Sequence, residues 1–443
     1  MASDSLKTLQ TSSQLVTERD QSATGVPHLA DRKAPLNVLV LDARLRQSLV
    51  AVRSLGRRGL RVAALETSNN VGINGSVPTF SSRWCQQKFV APAYEVSTDP
   101  YLRYLEQSLD STGASLLISS SDGTLAVIRQ HREQLERYAR IALAKEPALA
   151  IAINKDQTLE IAKRLGIGVP RGVNVKSIDE VSDALHEIGL PAVVKPVESW
   201  IWGEQQGVRL ACHLVTTAHE ARLAVEELTR SGGTTLFQQF LTGRREAVSL
   251  LYAKGEIYAR FAQWAKRTHP PLGGVSVLRQ SIAIPKDIGD QAERLIREIE
   301  LEGYSEVEFR RDSNGHPYLM EINPRLSASV EIAVRAGVDF PYLLYQWANE
   351  DPIDHVQGYR VGCWMRYLEG DLLATVQSLI ERGRPGIAPA GQVLFDFLMS
   401  FFKPMGYDYF DWKDPFPAST ATSNFVRHVL KWLSDNFPRR LEK

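Results

Sequence analysis

The strongest chemical signature in this chain lies between Tyr304 and Arg325, in the segment YSEVEFRRDSNGHPYLMEINPR. Asn314-Gly315 is a strong hairpin signal, because a type I′ turn needs positive φ at both central residues. With those two residues as the loop, Ser313 faces His316, and counting outward sets Glu308 opposite Glu321 and Glu306 opposite Asn323. Side chains alternate along a strand, so these four project from one face while Val307, Phe309, Met320 and Ile322 project from the other toward a core. Two carboxylates facing each other across a ladder repel unless a cation lies between them. Oxygen donors on one rigid face suit Mg²⁺, which keeps several waters and completes its shell with substrate phosphates. The plainer alternative is an exposed polar face neutralised by Arg310 and Arg311.

The elements that would position such a hairpin follow from periodicity. An apolar run over 38–41 reads as a buried strand, a helical pattern follows through Leu45, Leu49, Val52 and Leu55, and 61–65 reads as a second strand. This is the right-handed βαβ opening of a doubly wound sheet, with a third strand over 115–118 and the SSSDG segment at that strand's carboxyl end, where such sheets keep ligand loops. Glu66 stands where a ribose-binding carboxylate would stand in a dinucleotide fold. The first turn, LDARLRQS, lacks the glycines that let a pyrophosphate approach, which argues against a nicotinamide cofactor. Further on, a helix over 154–163 starts on an Asn cap, a second helix spans 177–188, and LPAVVKP is a short strand delivering Lys195. The polar, aromatic segment 198–207 (ESWIWGEQQG) suits a mobile loop over a ligand, with Trp200 and Trp202 closing over it or packing on the domain surface. Strands flank QQFLTG, Gly273-Gly274 marks a loop, and 287–301 is helical. The tail beyond Asp351 mixes short strands and amphipathic helices.

Bulk properties bound these readings. A chain of 443 residues exceeds what one core usually supports, so two or three domains are expected. With 52 basic against 51 acidic residues, no global field points to nucleic acid. Cys85, Cys212 and Cys363 lie far apart, forming neither a metal pair nor a disulfide framework, which fits a reducing, cytoplasmic setting. Residues 1–34, rich in Ser, Thr, Gln and Asp, lack the apolar core of a signal peptide and read as a disordered leader. No stretch approaches the roughly 18 apolar residues of a membrane span. The nine histidines are scattered, and no Ser-His-Asp or Cys-His arrangement stands out. The basic, amphipathic end NFVRHVLKWLSDNFPRRLEK reads as a packed terminal helix, with a membrane or a partner as alternatives.

MEINPR, preceded by VEF and an Asn-Gly turn, resembles the metal-binding end of ATP-grasp enzymes. NKDQTLEIAKRLGIGVP, LPAVVKP, LFQQFLTGRREAVSL and PLGGVSVLRQS follow in that superfamily's order and approximate spacing, so the resemblance covers about 35 to 350. The tail from Gly358 (GYRVGCWMRYLEGDLL) is similar to the carboxylate–amine ligase subgroup that includes D-aspartate ligase. The resemblance implies an α/β and α+β architecture: an N-terminal doubly wound pre-ATP-grasp domain (35–150), a two-lobed ATP-grasp domain (151–350) and a C-terminal subdomain (351–443). It implies ATP with Mg²⁺, or Mn²⁺ in its place, and small-molecule carboxylate and amine substrates, with a homodimer as one option for assembly. Position by position it makes Lys155 and Lys195 the phosphate contacts, Gln239, Phe240 and Leu241 the adenine edge, and Glu246 the ribose contact. Many members carry glutamate where Gln239 stands; an amide oxygen can still meet the adenine amino group. Glu308, Glu321 and Asn323 match the magnesium ligands, Arg325 the basic residue beside the transferred phosphoryl group, and Arg279 the arginine that would stabilise an acyl phosphate or tetrahedral intermediate. A salt bridge is the plainer reading of Arg279. The implied reaction is carboxylate–amine ligation through an acyl phosphate; a carboxylase or carbamoyl-phosphate-type enzyme, a kinase, and a non-catalytic nucleotide-binding regulator remain alternatives.

Overall fold

Three main sheets carry the chain in a computed structural model that describes residues 34–72, 75–203, 206–230 and 232–436. Apart from Ala34, the leader expected over 1–34 lies outside the described residues. The first sheet is all parallel, with β1 (Val38–Val40), β2 (Val62–Thr67), β3 (Cys85–Ala91), β4 (Leu116–Ile118) and β5 (Arg140–Ile141) in the order β3-β2-β1-β4-β5. The fully buried apolar runs of β1 and β4 are what a parallel sheet covered on both faces requires. The edge strands β3 and β5 carry no such run, which is why the expected strands include only β1, β2 and β4. The doubly wound expectation holds.

The second sheet is antiparallel. It consists of β6 (Gly172–Val175), β7 (Ala192–Pro196), β10 (His213–Val215) and β11 (Thr235–Gln239) in the order β10-β7-β11-β6. Between β7 and β10 stands a separate hairpin, β8 (Trp200–Trp202) and β9 (Gly207–Arg209), with Trp200 opposite Arg209. The segment expected as a loop over 198–207 therefore includes ladder residues, 200–202 and 207. Two helices, Val181–Ile188 and Ala218–Thr229, cover the sheet and enclose a core of their own around Val194, Val225, Leu228 and Phe237. This small lobe leaves the rest of the chain through a two-stranded neck, where the Gln239 amide donates to the Arg171 carbonyl at 3.0 Å.

The third sheet is mixed. Its seven strands are β12 (Arg245–Ala253), β13 (Glu256–His269), β14 (Val275–Ile282), β15 (Gly303–Arg311), β16 (Pro317–Asn323), β17 (Trp364–Arg366) and β18 (Gly406–Tyr407). They run in the order β16-β15-β12-β13-β14-β17-β18, so the segment beyond 351 adds two strands to the sheet that carries the hairpin. One face sends Val248, Leu250, Val307 and Phe309 into a core shared with the Lys286–Glu298 helix; the other sends Phe261 and Tyr304 toward the first sheet's side. Among the described residues no helix is long and apolar enough to cross a membrane.

Candidate functional site

The β15–β16 ladder pairs Glu308 with Glu321 and Glu306 with Asn323, as counted from the sequence, but by a different route. The Asp312 amide donates to His316 O at 2.9 Å, the Gly315 amide to Asp312 O at 3.2 Å, and within 313–315 positive φ is confined to Gly315. This is a three-residue loop, a tight turn followed by a left-handed glycine, rather than the expected two-residue turn. The extra loop residue is offset by a bulge: Phe309 pairs with Leu319, the next pair is Glu308 with Glu321, and Met320 is left over. Leu319, not Met320, is the residue buried beside Phe309.

Around this pair the chain arranges unequal charges. Arg245 from β12 donates to Glu308 Oε2 from Nε at 3.0 Å and Nη2 at 2.5 Å, and Asn323 Nδ2 donates to Glu308 Oε1 at 3.2 Å. Burial still pushes the Glu308 carboxyl up to about 7, with Arg245 opposing the rise and Glu321 and Glu306 adding to it. Glu321 goes the other way. Burial raises it, but Lys155, Lys195 and Arg245 outweigh burial and hold it below the usual carboxylate range. Lys155 Nζ lies 3.5 Å from Glu321 Oε2 and donates to Ser199 Oγ at 3.1 Å. It opens the Lys155–Arg164 helix, whose N-cap Asn154 accepts from the Gln157 amide as expected. Glu306 is sealed away, accepting from Gln263 Nε2, Ser327 Oγ and Ser329 Oγ at 2.9 to 3.1 Å.

Lys195, next to the end of β7, is buried, and among the described residues its ammonium has no hydrogen bond or ion pair. Burial lowers its pKa, with Cys212 and Glu321 resisting the shift. A buried, unpaired cation beside two carboxylates is a place for an anion, and the facing oxygens of Glu308, Glu321 and Asn323 are a place for a hard cation. Among the described residues there is no group of three or more His, Cys, Asp and Glu that could hold a metal ion. Lys155, Glu321 and Asn323 line a cleft of about 670 Å³ together with Asp122, Ser199, Trp200 and Trp202.

Arg325 lies just past β16, and both its Nε and Nη2 are 2.7 Å from Asp122 Oδ1. Asp122, the aspartate of the SSSDG segment that follows β4, begins the Asp122–Gln130 helix. It also faces Arg209 of the β8–β9 hairpin at 3.7 Å, and the Gly207 amide donates to Glu95 O at 2.7 Å. The hairpin is thus docked on the first sheet's side, with the Trp200 ring 5.6 Å from Tyr94 and 5.5 Å from Trp202.

Three expected contacts lie elsewhere. Arg279 is fully buried and paired with Asp408, Nη1 to Oδ2 at 3.1 Å, and Asp408 also takes Arg46. Glu246 is held by Arg311 at 2.8 Å and Arg244 at 3.1 Å, one residue out of phase with Arg245 and so on the opposite face of β12. Gln239 spends its side-chain oxygen on Arg171 Nε at 3.1 Å in the neck, the oxygen assigned from sequence to an adenine amino group. Phe240 and Leu241 follow it past the neck, Leu241 buried and Phe240 under the Arg310 guanidinium at 5.4 Å. The arginine that answers Glu308 is Arg245, not Arg310 or Arg311. Sequence reasoning missed Arg245 and Asp122; the RRE run ahead of an apolar strand and the flagged SSSDG segment were their available signals.

The family described as "ATP-grasp in the biosynthetic pathway with Ter operon" matches residues 233–369, which include Glu246, Arg279, both facing glutamates, Asn323 and Arg325. A D-alanine–D-alanine ligase of Chromohalobacter salexigens is 25% identical over 215 residues, covering 44% of this chain and 64% of that protein. The chain therefore spans just under two thirds of that relative's length. Among solved structures, an L-amino acid ligase from Bacillus licheniformis is similar with a TM-score of 0.55 at 18% identity, covering 73% of this chain and 76% of that one. The biotin carboxylase domain dimer of Hydrogenobacter thermophilus 2-oxoglutarate carboxylase, with MgADP and bicarbonate, is similar with a TM-score of 0.57 at 14% identity, covering 75% and 74%. Over residues 233–369 the chain is thus similar to an ATP-grasp family.

Proposed function

We propose that this protein is an ATP-dependent ligase that joins a carboxylate to an amine through an acyl phosphate, releasing ADP and phosphate. The observation that carries the reading is the buried Lys195 ammonium, with no hydrogen bond or ion pair among the described residues, near Lys155 and the Glu308–Glu321 pair, beside a cleft of about 670 Å³ that Lys155, Glu321 and Asn323 line. Lys155 and Lys195 would hold the polyphosphate, and Phe240 and Leu241 would border the adenine. Mg²⁺, or Mn²⁺ in its place, held by Glu308, Glu321 and Asn323, would neutralise charge on the phosphates. The substrate carboxylate oxygen attacks the γ-phosphorus and ADP leaves; the amine nitrogen then attacks the acyl carbon, phosphate leaves, and a proton passes to solvent. Arg325, aimed by Asp122, would stand beside the transferring phosphoryl group. The docked hairpin would keep water from the acyl phosphate. Arg279 could reach an oxyanion only by giving up Asp408, so that role falls outside this reading.

Mg-ATP should raise the melting temperature of the full chain, since a ligand that binds only the native state adds to its stability. ADP release should then require both an acid and an amine from a pooled amino-acid screen. A folded sample without a shift at millimolar Mg-ATP sinks the nucleotide assignment; ADP release driven by bicarbonate alone replaces ligation with a carboxylase reading.

A further inference from the structure

The helical hairpin that follows β17 is inside out for a surface element. Its first helix, Leu368–Ile380, buries the small or polar residues Gly370, Asp371, Ala374 and Thr375 against β13 and β14. At 100° per residue, the opposite side carries Leu372, Leu373, Val376 and Ile380, all exposed, Ile380 at 76%. Its second helix, Ala390–Met399, has no buried residue, although it presents Leu394, Phe395 and Leu398; Phe395 is 62% exposed and Phe402 just beyond is 80%. Arg267 ties the base of the hairpin, donating to Asp371 at the start of the first helix and to Ser400 Oγ at 3.0 Å past the end of the second. The two helices therefore run antiparallel and offer one apolar layer.

An amphipathic helix ordinarily turns its apolar side toward a core, and here that side faces outward. Soluble monomers seldom expose contiguous apolar patches beyond a few hundred Å². The exposed large side chains from Leu368 to Phe402 offer on the order of 1,000 Å², comparable with the roughly 800 Å² that each partner buries in a stable complex.

The charges select the occupant. A helix lying on an anionic membrane carries a row of Lys and Arg beside its apolar face. Here Asp371 is taken by Arg366 and Arg267, Asp396 by Lys266, and Arg384 by Glu220. The hairpin is close to neutral and mostly paired within its own chain, which also removes the charge complementarity that would steer an unlike partner. Two copies of one antiparallel helix pair stack about a two-fold axis as a four-helix bundle, each filling the other's apolar layer. We propose that the 368–402 hairpin is a homodimer interface, with a second copy of this chain as its occupant. The assignment is independent of the ligase reading.

The full chain, 49.5 kDa as a monomer, should sediment at twice that mass across a concentration series in sedimentation velocity. Ile380→Glu with Phe395→Glu should shift it to the monomer with unchanged far-UV circular dichroism, because both side chains are exposed within one chain. Val96→Glu, at an exposed position in the first domain, should leave the dimer intact. A monomeric parent chain throughout the series overturns the proposal. So does a dimer that survives the double substitution, or a monomer that instead cosediments with neutral phosphatidylcholine vesicles.

Discussion

Glu308 is flanked by Arg245 on one side and by Glu321 and Glu306 on the other, while Glu321 looks toward two lysines. From sequence the two carboxylates are equivalent, each repelled by the other. In the structure the cost falls on Glu308, because Lys155 pairs with Glu321 and Lys195 acts more strongly on Glu321 than on Glu308. Glu308→Gln is therefore expected to be as stable as the parent or more so in chelator. A carboxyl raised in the folded state costs most above its folded pKa, so the gain should be largest above about pH 7 and fade as pH falls toward about 4. Glu321→Gln breaks favourable pairing and should lose about 1 to 2 kcal/mol under the same conditions. Urea unfolding of both variants in chelator, from pH 5 to 8, checks this; matching losses would mean that the pair shares its strain. Which of two facing residues a lysine approaches is a tertiary fact, and neither spacing nor turn chemistry encodes it.

At the scale of elements, the pairing of the hairpin was legible in the sequence, but its irregularities were not. An Asn-Gly pair announces a turn without saying whether two or three residues form it, and nothing in PYLMEIN marks Met320 as the bulge. The strands expected from apolar runs, β1, β4, β7 and β11, are present. β3 was missed because an edge strand needs only one buried face, and the Trp200–Trp202 ladder because polar, glycine-containing segments read as loops. The ion pairs of Arg279 and Glu246 were illegible for a related reason: a motif suggests a role, whereas a neighbour far along the chain, Asp408 or Arg311, decides where the side chain is held. The bulge yields a test. Deleting Met320 leaves Leu319 and Ile322 on the core face and Glu321 opposite Glu308 in a regular ladder, so Mg-ATP should still raise the melting temperature. Inserting one alanine at the same point forces a second bulge or turns Glu321 to the core, and the shift should vanish.

At the scale of the whole molecule, Asp122 joins three parts: the first sheet that supplies it, Arg325 after β16, and Arg209 on the β8–β9 hairpin. Burial raises its pKa, but Arg325 and Arg209 outweigh burial and leave it lowered. A carboxyl lowered in the folded state stabilises above its unfolded pKa of about 3.9 and loses that contribution as pH falls through the folded value. Asp122→Asn should therefore cost about 2 kcal/mol at pH 7, and the deficit should shrink below about pH 4. Denaturation across that range reads it directly, and a deficit that persists in acid would assign Asp122 a packing role instead. Joining of a different kind occurs at Arg171 and Gln239, where the small lobe's entering and leaving strands cross side by side. A lobe with its own core and adjacent ends is a cassette: the gene segment between those codons can be exchanged without rerouting the rest of the chain.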